Sequence, residues 1–185
     1  MEVEVSVWKG NQKGFTLVEL LIVVIILAVL AAIVVPQFGS STAEAKEAAL
    51  RSTITEMRNA IELYYHQHRA SYPGAKASSG AGDGTGAAGT EAAFTEQLIY
   101  YSNADGATNK TRTPVFKYGP YLKKQDLPVN PIDDLQTLTL LKTGDVGVGS
   151  LASTGDGTTG GWWVDTVSGK FIANTNDGTT DYRTW

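Results

Sequence analysis

Residues 13–35 read KGFTLVELLIVVIILAVLAAIVV, and the organisation of the chain follows from that stretch. From Leu20 to Val35 sixteen consecutive side chains are apolar, and Phe15, Leu17 and Val18 extend the run to 21 residues interrupted only by Thr16 and Glu19. As a helix the run spans about 31 Å, enough for a bilayer core of roughly 30 Å. A secretory signal peptide has a shorter apolar region followed by a small-residue cleavage site. Here the run passes instead into Pro36-Gln37-Phe38 and then into polar sequence. Lys9 and Lys13 precede the run closely while Lys46 and Arg51 follow at a distance, which places the amino terminus in the cytoplasm. Glu19 stands out, because a carboxylate within an apolar helix costs about 2.5–3.5 kcal/mol at the bilayer centre and less near an end. It either snorkels to the headgroups or meets a functional partner.

Past Pro36, which a helix tolerates when neighbours satisfy the freed carbonyl, the pattern becomes amphipathic. Leu50, Ile54, Met57, Ile61 and Tyr64 recur at spacings of four, three, four and three, with Glu47 and Arg51 a favourable i,i+4 pair on the polar side. The spacing predicts one helix from about Phe15 to about His68, some 80 Å long if unbroken. Its second half must cover an apolar surface. His66 and His68 point about 200° apart on a helix and do not share a metal, so they read as a solvated helix end. RASYPG, Arg69 to Gly74, stops the helix.

Residues 74–90, GAKASSGAGDGTGAAGT, contain no large apolar side chain and read as a flexible surface loop. Gly84 to Gly89 spells GxGxxG but follows no strand, which a dinucleotide fingerprint requires. A short helix is expected over Glu91 to Tyr101, with Thr90 as N-cap and Phe94, Leu98 and Tyr101 on one side. Pro120, Pro128 and Pro131 forbid regular structure over 118–131. Strands are expected at Leu135–Leu141, Gly161–Val167 and Lys170–Asn174, the last two joined at Ser168-Gly169 as a hairpin. Three antiparallel strands alone are marginal. Laid on the Leu50–Tyr64 face they complete an α+β fold, a long amino-terminal helix packed against a small antiparallel sheet, with Trp162, Trp163 and Phe171 as core or subunit-contact residues.

Lys13-Gly14-Phe15-Thr16-Leu17-Val18-Glu19-Leu20 resembles the class III signal-peptide processing site of type IV pilins and type II secretion pseudopilins. The resemblance implies a leader, 1–14, removed by a prepilin peptidase between Gly14 and Phe15 with methylation of the new amino terminus. It further implies a transmembrane or filament-core helix over 15–36 and a pilin-like head over 37–185. Phe15 and Glu19 would then serve assembly, the carboxylate meeting a neighbouring subunit's ammonium, since two charges costly alone in hydrocarbon neutralise at one axial offset. The implied partners are further copies in a filament, minor pseudopilins or pilins, the peptidase, the inner-membrane assembly machinery and the membrane itself. The location is the bacterial inner membrane, single pass, with the head in the periplasm or, after assembly, outside the cell.

Tyr118-Gly119-Pro120-Tyr121-Leu122, with Leu127-Pro128 and Pro131, resembles the GPYL…LP…P loop of major pseudopilins, which favours the secretion filament over an extracellular pilus. So does the absence of the cysteine pair that closes most pilin heads. The same resemblance raises calcium, with Asp177 and Asp181 as ligands, although Asn and Asp equally make a solvated turn; no cofactor is otherwise required. Catalysis finds little material. There is no cysteine and only two histidines, no phosphate loop, and Gly149-Ser150-Leu151 is not a nucleophile elbow. Lys plus Arg number 15 against 19 Asp plus Glu, and that net acidity, with no cationic run denser than Lys123-Lys124, argues against a nucleic-acid partner.

Overall fold

A computed structural model describes residues 14–124, 126–142, 160–175 and 180–185. Residues 1–13 of the expected leader, Gly149-Ser150-Leu151 and Asp177 lie outside the described residues. The chain forms two units, Met1–Ala43 and Glu44–Trp185.

Helix α1 is Leu17–Gln67, close to the bounds read from the periodicity. It ends where Arg69 and Ala70 both adopt left-handed backbone angles, φ 56° and 57°, and the Ala70 amide donates back to Tyr65 O at 3.2 Å. The reversal therefore comes before Pro73-Gly74. In the second unit Leu50, Ile54, Met57, Ile61 and Tyr64 are all buried, as their spacing predicts, and meet Phe94 and Leu98 together with Trp162, Val164 and Phe171.

Helix α2, Glu91–Ile99, is capped by Thr90, whose Oγ1 accepts from the Ala93 amide at 3.3 Å. It stops two residues short of the expected end because Tyr100 is extended, φ −109° and ψ 171°. Tyr101 therefore opens a strand instead of completing a helix face. Strands β1, Tyr101–Ser102, and β2, Thr108–Asn109, pair antiparallel, and Asn103 Oδ1 closes their turn by accepting from Asp105 N and Ala107 N. This hairpin replaces what the sequence presents as a simple break. Ser102 also bridges to Tyr118, and the Tyr121 and Leu122 amides both donate to Leu98 O, which anchors the proline-rich loop on the end of α2.

The main sheet contains β3, Leu138–Leu141, β4, Trp162–Asp165, and β5, Phe171–Ala173, in that order. β4 and β5 form the expected hairpin, with Gly169 N donating to Asp165 O at 2.8 Å and Ser168 Oγ to Asp165 Oδ2 at 2.7 Å. β3 departs from expectation by running parallel to β4, Leu138 opposite Trp162 and Leu141 opposite Asp165. The twenty residues between Leu141 and Trp162 permit this, since a parallel pair needs a crossover of a dozen residues or more. The fold remains α+β with a mixed sheet. Trp162 and Phe171 stack in the core at 5.0 Å, while Trp163, the next residue along a pleated strand, packs with Leu141 and Ile172 on the other side.

Candidate assembly site

In the first unit the helical stretch Leu17–Val34 has no buried residue, and Phe15 ahead of it is 83 % exposed. A helix apolar on every face has no solvent face to offer water, so it requires lipid or other helices around it. Gly14 has no heavy atom within 4 Å of where a Cβ would sit and no left-handed φ. The folded chain itself thus places no demand for glycine there.

Glu19 is partnered within its own helix. Its Oε2 accepts from Thr16 N and from Thr16 Oγ1, each at 2.8 Å, while Thr16 Oγ1 accepts from Glu19 N at 3.2 Å. This is a capping box, Thr16-x-x-Glu19, satisfying orphan amides at the helix start. The sequence carries the signal, an S/T-x-x-E pattern just before an apolar run, and the partner of Glu19 lies three residues away in its own helix.

In the second unit the residues singled out by sequence fall differently. His68 is not a solvated helix end: it is 1 % exposed, its ring stacked on Tyr64 with centroids 3.7 Å apart. Its Nδ1 lies 2.8 Å from Tyr64 O and its Nε2 2.9 Å from Ser102 Oγ. Tyr118 and Tyr121 complete an aromatic box around it. Burial lowers the His68 pKa, and it raises that of Tyr121, whose hydroxyl donates to Gln67 Oε1, to about 12. The signal missed was Ser102, which lies 34 residues away.

The glycine-rich stretch is built into the second unit, not draped on it. Glu96 reaches under it and accepts from Ser78 Oγ, from Thr85 N at 2.9 Å, from Thr85 Oγ1 at 2.7 Å and from Gly86 N at 3.2 Å. Burial works to raise the Glu96 pKa, but these donors outweigh it and hold the carboxyl below its usual range. Gln97 donates to Lys76 O and Gly106 O and accepts from Gly74 N at 2.7 Å. A Cβ at Gly84 would meet Ser78 O at 2.1 Å, and one at Gly86 would meet Ala93 N at 2.2 Å. The glycines of this GxGxxG stretch therefore serve close packing, and the anion beneath the loop is the chain's own Glu96.

Asp181 is held by Arg183, whose Nε and Nη2 donate to its two carboxylate oxygens at 2.7 Å and 2.6 Å. That guanidinium depresses the Asp181 pKa.

Residues 9–35 match the prokaryotic N-terminal methylation motif. The chain is similar to the type IV major fimbrial protein FimA of Dichelobacter nodosus, 48% identical over 54 residues, which are 29% of this chain and 35% of that protein. It is similar to the type II secretion system core protein G of Pseudomonas aeruginosa, 41% identical over 56 residues, 30% of this chain and 39% of that one. A fimbrial protein of Neisseria meningitidis serogroup B is 38% identical over 69 residues, 37% of this chain and 40% of that one. The matched stretches thus span at most 40% of these relatives' lengths. No solved structure matches the chain.

Proposed function

Given an amino-terminal segment of the type IV pilin and pseudopilin superfamily, we propose that this chain is a structural, non-enzymatic subunit that polymerises through residues 15–36. On this reading it is trimmed after Gly14, methylated at Phe15, anchored in the inner membrane by the same helix, and assembled into a type II secretion pseudopilus with residues 37–185 as its head. The observation that carries the reading is an apolar helix exposed on every side, with a glycine just before it that the fold does not require. Such a glycine is there to be read by another protein, here the peptidase.

Glu19 then acts in two settings. Its capping hydrogen bonds keep the carboxylate satisfied while the subunit is alone in lipid. In the filament, a neighbour's ammonium competes for the same oxygens and selects the register at which both charges are neutralised.

An extracellular pilus is the second reading, favoured by the fimbrial proteins among the relatives. Their similarity covers about a third of this chain. The loop over 118–131 and a head without cysteine support the secretion filament.

Gly14→Ala, produced together with a prepilin peptidase, is expected to keep its full precursor mass in intact mass spectrometry. A normally trimmed, methylated product would remove Gly14 as the processing site. Glu19→Ala is expected to enter the membrane yet yield few filaments, and filament yield equal to the parent would remove the register role. In the source cell, deletion of the gene is expected to stop protein export without loss of surface fibres; the reverse pattern selects the pilus.

A further inference from the structure

Asn130, Asp133 and Thr175 meet in the second unit with their side chains against one another. Asn130 is fully buried and Thr175 is 4 % exposed, while Asp133 is half-buried. Backbone bonds fix the asparagine at both ends, its amide donating to Leu135 O at 2.8 Å and its carbonyl accepting from Asp134 N at 2.9 Å. Asp133 is held as firmly, with Leu135 N donating to Oδ1 at 3.0 Å and Gly161 N to Oδ2 at 2.8 Å. A hydroxyl, a carboxylate and a carboxamide in mutual contact are the nucleophile, base and electrophile of an acyl transfer.

Thr175 Oγ1 donates to Asp133 Oδ2, so the carboxylate already holds the proton that a nucleophilic hydroxyl must lose. The same hydroxyl accepts from Asn130 Nδ2 at 2.7 Å. The carboxamide carbon is one bond from that nitrogen, and tilting the amide about its Cβ–Cγ bond turns the carbon toward Oγ1. Ile132 N donates to Asn130 Oδ1 at 3.0 Å, where negative charge develops during attack. Asp133 Oδ2 also lies 3.2 Å from Nδ2, so the oxygen that takes the hydroxyl proton reaches the nitrogen that must leave. Pro131 follows Asn130 and has no N–H, which removes the usual competitor, attack by the next residue's own amide.

We infer that Thr175 and Asn130 become joined by an ester in the folded chain. Oγ1 bonds to Asn130 Cγ as its proton passes to Asp133. The Cγ–Nδ2 bond then breaks, and Asp133 returns the proton to the nitrogen, which leaves as ammonia. Hydroxyl and carboxamide become ester and ammonia, Asp133 ends as the carboxylate it began as, and nothing is oxidised or reduced. Burial of both partners keeps water from the product. The bond joins residues 45 apart, fastening the proline-rich loop to the exit of β5 in a chain without cysteine and constraining the unfolded state as a long crosslink does. It ends at Thr175 and leaves the final turn, Tyr182–Thr184, to noncovalent contacts with α1. It belongs to the second unit by itself and does not rest on the filament reading.

The test uses the full chain purified in a nonionic detergent, denatured for intact mass spectrometry and then digested with trypsin. The expected mass is one ammonia below the value its sequence gives, and residues 125–142 and 171–183 should appear as one branched peptide that hydroxylamine separates. Thr175→Val and Asp133→Asn should each restore the missing ammonia and release the two peptides, whereas Thr175→Ser should remain linked. The parent chain decides the matter even where a variant unfolds. Overturning results are two unlinked peptides of ordinary mass from the parent, a lost ammonia confined to one unbranched peptide, which marks a cyclised imide, or a link that persists in Thr175→Val. A link formed equally well in Asp133→Asn would overturn the part given to the carboxylate.

Discussion

Replacing Glu96 tests whether the glycine-rich stretch is a structural part of the head. The carboxylate accepts four hydrogen bonds, from Ser78 Oγ, Thr85 N, Thr85 Oγ1 and Gly86 N, all from that stretch. Buried hydrogen bonds to a charged group contribute about 1.5–3 kcal/mol each, but this carboxylate sits at the edge of the head where water screens it, so about 0.5–1 kcal/mol per bond is the appropriate scale. Glu96→Ala should therefore cost about 2–4 kcal/mol. Glu96→Gln, which keeps the shape but turns an NH2 toward donors, should cost somewhat less. For a head of this size each kcal/mol moves Tm by about 4 °C, so melting of the full chain in detergent should fall by roughly 8–16 °C for the alanine variant. Hydrogen exchange should rise at the Thr85 and Gly86 amides while the α1 core stays protected. Because the folded pKa of Glu96 is lowered, its contribution is complete above the ordinary carboxylate pKa and is lost as pH falls through the folded value. The difference in Tm between parent and Glu96→Gln should accordingly shrink on acidification below about pH 5. A Tm change under about 2 °C with unaltered exchange over 78–86 would show that the loop holds itself and that Glu96 is incidental.

Burial lowers the pKa of His68, so the unfolded chain binds this proton more readily and stability should decline as pH drops below about 6.5. His68→Gln should lower stability at neutral pH and flatten that decline, which unfolding titrations at stepped pH would reveal. Ala70 holds φ 57° without being glycine, so Ala70→Gly should raise stability by about 0.5–1 kcal/mol, measured by urea unfolding.

Reading the sequence alone recovered those parts of the fold that repeat with a period. The Leu50–Tyr64 stripe, the Thr90 cap and the β4–β5 hairpin are local patterns, and each is where its spacing puts it. What escaped was set by partners far along the chain. His68 reads as a helix-end residue until Ser102 is brought to its ring. The low-complexity loop reads as flexible until Glu96 and Gln97, adjacent on α2, collect its amides and carbonyls. Residue order does not state the direction of β3 either, although the long interval before β4 left room for the parallel pairing. At the amino terminus the failure was of another kind. The Thr16–Glu19 box is entirely local, and its S/T-x-x-E pattern stands in the sequence beside the one charge of the apolar run.

A head without cysteine has to close its carboxy-terminal segment by noncovalent means, and α1 supplies them from residues four, seven and eleven apart. Glu47 Oε1 lies 3.4 Å from the hydroxyl of buried Tyr182, the Arg51 guanidinium stacks 3.7 Å over the Trp185 ring, and Arg58 Nη2 donates to Trp185 O at 2.6 Å. Arg58 Nε also donates to Phe171 O at 3.1 Å, so one guanidinium joins helix, sheet edge and final turn. The two arginines should therefore differ in weight. Arg51 is exposed, where cation–π stacking contributes about 0.5–1 kcal/mol. Arg58 is partly buried and satisfies two main-chain oxygens, which its removal would leave wanting, at about 2–3 kcal/mol in all. Arg58→Ala should thus destabilise the head by at least about 1 kcal/mol more than Arg51→Ala in urea unfolding, and Arg58→Lys should recover only part of the loss, because an ammonium cannot span both oxygens in the guanidinium's fixed plane. Equal effects from the two alanine variants would mean that the segment is held by the burial of Tyr182 alone and that the charged residues of α1 merely cover it.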